Sequence, residues 1–100
     1  MSAWEHLKTP ETRKIERLLR KTFPATEAYR YNSASIRVRV IDKKFSGKSM
    51  IEREEAVLPL IRTLSEDTQA DIVILLLLAP DDPEQSLMNL EFENPSPSMV

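Results

Sequence analysis

No cysteine occurs in the chain, which excludes disulfides, thiolate metal sites and cysteine nucleophiles together. Histidine is nearly as scarce. His6 stands alone near the N-terminus, with no second imidazole or thiol to share a metal. Ser33, Ser35 and Ser46 consequently have no patterned histidine base, and no catalytic constellation can be assembled from the sequence. Gly47 is the only glycine, so its position is expected to require a positive φ or a close backbone approach. No apolar run is long enough to cross a bilayer: Ile72 to Ala79 gives eight residues where about 20 are needed. No basic-then-apolar leader opens the chain, and the expected location is cytoplasmic. The expected reading is a non-enzyme without cofactor or metal.

Bases are missing from the C-terminal part. Residues 63–100 carry eight acids and no Lys or Arg, whereas residues 1–62 hold all 14 bases and the other eight acids. A net charge of −2 thus conceals portions of −8 and +6. Such a division means either a basic surface for a polyanion or two portions that neutralise each other, and the second is the simpler expectation.

What is present points to one small domain. The 41% hydrophobic content of 100 residues suffices for a single modest core. Residues 1–8 read as a flexible tail in which Trp4 could dock, 9–93 as the domain and 94–100 as a disordered end. Thr9-Pro10-Glu11 opens a helix with a capping hydroxyl, a first-turn proline and an acid at the positive end of the dipole. Ile15, Leu18, Leu19 and Phe23 form its apolar stripe, and Pro24 ends it. Ile36, Val38 and Val40 alternate with Arg37 and Arg39, the period of a half-buried strand. With 32–35 as a four-residue hairpin loop, Tyr31 faces Ile36, Tyr29 faces Val38 and Arg30 faces Arg37. That register leaves Arg30, Arg37 and Arg39 on an open basic sheet face.

A second helical segment runs from about Ser49 to Leu64, and Pro59 inside it is expected to give a kink or two consecutive helices broken just before it. Arg53, Glu54 and Glu55 read as its solvated face. Ser65 to Gln69 returns the chain to the strand Ile72–Ala79, which is apolar on both faces and is expected at the centre of the sheet. Its second face must be covered by the C-terminal segment or by another copy of the protein. Asp82-Pro83-Glu84-Gln85 starts a last helix burying Leu87, Leu90 and Met88, the competing reading being a strand carrying Met88, Leu90 and Phe92. The fold class is therefore α+β: a two-layer αββααβ(α) arrangement with a three-stranded mixed sheet and helices on one face.

Gly47-Lys48-Ser49 sits between a strand and a helix, as at the end of a phosphate-binding P-loop. The full pattern requires glycine where Asp42 stands, and an acid at that mouth repels phosphate. A plain anion site at the helix start remains open, formed by Lys43, Lys44, Gly47, Lys48 and Ser49.

Phe45-Ser-Gly-Lys-Ser-Met-Ile-Glu-Arg53 resembles the F-x-G-K-s-x-x-x-R-H-R segment of BolA-like proteins. The resemblance, spanning about Arg13 to Ala79, implies an αββααβ fold close to class II KH domains. It implies either a nucleic-acid-binding role or a glutaredoxin partner around a [2Fe–2S] cluster. Arg53-Glu54-Glu55 replaces the family's R-H-R, and Ala70-Asp71 stands where its histidine would be, so cluster ligation is not expected. The leading expectation is a small interaction module with a protein partner, a second copy included, and no membrane. The alternative is nucleic-acid or polyanion binding through Arg30, Arg37, Arg39 and the 43–49 loop.

Overall fold

The structure, a computed structural model, describes residues 3–82 and 87–97. Thr9 caps α1 (Pro10–Arg20): its hydroxyl accepts from the Thr12 amide, while the Thr12 hydroxyl accepts from the Thr9 amide. Ile15 and Leu19 face the core from this helix. β1 (Thr26–Asn32) and β2 (Ser35–Ile41) form an antiparallel hairpin, and β2 pairs in parallel with β3 (Ile72–Leu78). The parallel pair is joined through α2 (Met50–Ile61) and α3 (Glu66–Asp71), and α4 (Leu87–Glu93) follows. The αββααβ order and the mixed three-stranded sheet are as expected. The sheet order is β1-β2-β3, however, so β3 is an edge strand and not the central one.

Two further local expectations change. Pro59 lies inside α2 without ending it, because the residue is exposed and the carbonyl it leaves unpaired can face water. The break comes later, where Ser65 caps α3 by accepting from Thr68 N–H, inside the segment read as a loop. The hairpin turn contains two residues, Ser33 and Ala34, and an irregularity between Arg30 and Asn32 shifts the pairing. Tyr29 now pairs with Arg37, Ala28 with Val38 and Arg30 with Ile36. A one-residue shift exchanges the two faces of a strand.

Two cores result, one on each side of the sheet. The larger joins Ile15, Leu19, Phe23, Val38, Val40, Phe45, Val57 and Leu77 between the sheet, α1 and α2. The smaller consists of Trp4, Tyr29 and Phe92, with Leu7, Tyr31 and Leu76 against it. Trp4 stacks on Tyr29 at 5.6 Å and 10°, and Phe92 meets both rings at a steep angle. The N-terminal segment is thereby part of the fold from Trp4 onward. At the other end, Tyr31 donates its hydroxyl to the Ser96 carbonyl at 2.6 Å.

Candidate interaction surfaces

Alternation along β2 sends Val38 and Val40 to the helices and Arg37 and Arg39 to the opposite face. That face is not open. Arg37 and Arg39 are each only 7% exposed, because α4 lies across them. Arg37 donates to Glu91 at 2.9 Å and to the Tyr29 hydroxyl at 3.2 Å, and its guanidinium sits 3.6 Å from the Tyr31 ring centre. Arg39 donates to Asn89 and Glu93 and lies over Phe92. The acid at 91 is held down to about 2 by the amide and hydroxyl of Ser96 and by Arg37. Burial pushes the Tyr29 hydroxyl up, against the pull of Arg37. Arg30 is separated from both: it bridges Glu11 at 3.1 Å and Asp71 at 3.0 Å. The expected patch of three arginines therefore does not exist. The C-terminal segment, not a second copy, covers the face.

The helix that does this buries Phe92, while Leu87 is 83% exposed and Met88 and Leu90 each 45%. Leu87 and Leu90 were the expected buried side; the helical choice holds, but its phase differs. The Pro83-Glu84-Gln85 start lies outside the described residues. Asp82 instead accepts two bonds from Arg53 and one from the Ala79 amide. Arg53 holds its carboxyl below the usual range.

Around the 42–49 loop, Gly47 adopts φ 73°, the left-handed conformation its uniqueness suggested. Ser49 caps α2 through Glu52, whose side chain accepts from the Ser49 amide at 2.9 Å. The Glu52 carboxylate thus already occupies this helix start, where an added anion was expected to sit. Lys44 donates to the Thr22 carbonyl at 2.7 Å, tying the loop to the end of α1. Among the described residues, Arg13, Lys14, Arg17, Lys21, Lys43 and Lys48 are exposed and make no ion pair. Arg13, Arg17 and Lys21 stand in one row on α1, about 6 Å apart along the axis. Most of the free positive surface is this row and the adjoining loop, with Arg62 exposed and unpaired at the end of α2. Lys43 and Lys48 of this surface belong to the anion site that the sequence suggested; the α1 row does not.

The other conspicuous surface is the outer edge of β3. Leu78 turns its carbonyl to β2, accepting from Asp42 N–H at 2.9 Å. Alternation then turns the polar groups of Leu77 and Leu75 outward. Arg53 caps the Leu77 carbonyl at 2.9 Å, and Arg53 itself is 8% exposed, so it is not part of a solvated face. Among the described residues the lower edge carries no such cap. A register irregularity places Val73 at a bulge, 58% exposed. Leu58, Ile61, Arg62, Gln69, Ile72, Val73 and Leu75 line a shallow depression there. The sequence concealed this because an uninterrupted apolar run looks the same in an edge strand as in a central one.

No family model, curated protein or solved structure matches the chain. Phe45 and Arg53, which bracket the BolA-like segment, are explained by packing: Phe45 stacks on Phe23 at 5.4 Å, and Arg53 clamps Leu77 to Asp82. Among the described residues no cluster of three or more His, Cys, Asp or Glu could hold a metal, and no helix is long and apolar enough to cross a membrane.

Proposed function

We propose that this chain is a small non-enzymatic interaction module, and that it binds protein by adding an extended strand at the outer edge of β3. The observation that carries the reading is the uncapped edge at Leu75, within seven apolar residues that contain no charge and no proline. Edge strands are ordinarily protected by lysines, prolines or a covering segment. The groups with displaced acidity support a role without catalysis. Glu16, Tyr29, Glu52, Asp82 and Glu91 each belong to an ion pair, a cap or a buried hydrogen bond. None is left free to act on a substrate.

Amide hydrogen exchange on a dilute sample tests this. The Leu75 N–H is expected to exchange fast, while Ile74 and Leu76, facing β2, are protected. Equal protection at all three would mean that the edge is already covered by the chain's own residues, and the reading would fall.

A second reading rests on the six unpaired cations of α1 and the 43–48 loop. They fit a polyanion such as nucleic acid, through phosphate contacts alone. Oligonucleotide affinity should fall with salt at a slope of about −0.9 per phosphate contacted on duplex. The double variant R17E/K21E should lower that slope by roughly 2. Binding indifferent to salt, or its absence, would remove this reading.

A further inference from the structure

Resting on the edge reading, we propose that the strand accepted by β3 is β3 of a second copy, antiparallel about a two-fold axis that passes beside the edge at the level of Leu75 and Leu58. These two residues line one depression at the edge, together with Arg62 and Val73. Leu58 and Arg62 continue into a second depression along the outer side of α2, with Ile51, Glu54 and Pro59. The two depressions form one surface of strand edge and helix flank. It is apolar at Val73 and Ile51, which are 58% and 69% exposed.

The backbone alone cannot sustain a complex here. The Arg53 cap above and the bulge below restrict the open edge, so Leu75 and its symmetry mate exchange only one pair of hydrogen bonds. A standard interface buries about 800 Å² per partner, roughly an eighth of the 6217 Å² surface of this chain. The helix must contribute the rest. A crossover helix centred on the β2–β3 pair stands about one strand spacing from the axis, so α2 and its mate lie ~10 Å apart, within reach of direct packing.

Charge selects the occupant. Glu54 and Arg62 lie four residues to either side of Leu58 and make no ion pair among the described residues. Helices related by this axis are antiparallel, so Glu54 of each copy falls opposite Arg62 of the other, twice over. An isologous contact has this self-complementarity by construction, and an unrelated strand has no reason to supply it.

Sedimentation of the full chain over a range of concentrations tests the inference, with Leu75 exchange followed on the same samples. Twice the 11.5 kDa chain mass is expected at high concentration, with the Leu75 N–H becoming protected as the mass doubles. R62E should weaken association about tenfold or more, E54R similarly, and E54R/R62E should restore it. V73K, at an exposed edge position, should also give monomers, with circular dichroism unchanged. A dimer indifferent to R62E and V73K overturns the inference. So does a monomer at all concentrations whose Leu75 N–H exchanges freely, and in that case the edge reading stands. A monomer whose Leu75 N–H is protected overturns both.

Discussion

Phe92→Ala is expected to destabilise the protein by about 3–5 kcal/mol, the range for emptying a buried aromatic site. For a domain of this size that is a fifth or more of a total near 5–15 kcal/mol. Phe92 is 1% exposed and fills the space between Trp4, Tyr29 and the Arg39 guanidinium. Its carbonyl also accepts from the Tyr29 hydroxyl at 3.0 Å. Removing the ring takes away the apolar side chain that anchors α4 within the small core. The ion pairs Arg37–Glu91 and Arg39–Glu93 would then hold a helix with one wet side and one hollow side, and partly exposed pairs contribute little. Urea unfolding followed by the emission of Trp4, the only tryptophan, reads both effects: a lower midpoint and a red-shifted native spectrum. Leu90→Ala and Leu87→Ala on the same helix should stay within about 0.5 kcal/mol of the parent. A Phe92→Ala loss no larger than that of Leu90→Ala would mean that α4 is not anchored as described.

α4 marks the boundary between what local sequence rules determine and what packing determines. Local rules placed the cap at Thr9, the start of the second helical segment near Ser49, the stop near Pro24 and the αββααβ order, because each depends on residues a few positions apart. Side chains of α4 could not be phased, since Leu87, Met88 and Leu90 are as apolar as Phe92 and only the partner surface decides. The hairpin was misregistered by one residue because a turn of two with a bulge and a loop of four occupy the same stretch. That single shift moved Tyr29 from the side of Val38 to the side of Arg37.

Charge asymmetry, by contrast, was legible in outline. Asp71, Asp82, Glu91 and Glu93 of the acidic portion pair with Arg30, Arg53, Arg37 and Arg39 of the basic one. Four of the eight acids of the acidic portion are thus neutralised internally. The cations left over lie on α1, on the loop after β2 and at Arg62, away from the sheet face that alternation alone had suggested.

Glu16→Ala is the second large effect expected, about 3 kcal/mol or more, because it strips partners from groups that stay buried. Glu16 is 3% exposed on α1 and accepts from the Lys8 ammonium and, at 3.0 Å, from the Ala28 amide, with Arg20 at 3.5 Å. It therefore ties the N-terminal segment and β1 to the helix with one carboxylate. Lys8 would keep Glu27 at 2.9 Å, which holds the loss near the low end of the usual range. Glu16→Gln, which retains an acceptor for the Ala28 amide, should lose less. Burial raises the Glu16 pKa, but the Lys8 and Ala28 hydrogen bonds and the Lys8 and Arg20 charges outweigh it, and the net shift is downward from 4.5. A carboxyl depressed in the folded state stabilises above its unfolded pKa. That contribution is lost as pH falls from about 4.5 through the folded value. Urea midpoints measured from pH 7 to pH 3 should therefore drop less steeply in Glu16→Gln than in the parent. Some acid slope should persist, because Glu52, Asp82 and Glu91 are depressed as well. Parallel acid profiles for the two proteins would show that Glu16 is not charged and paired in the folded chain.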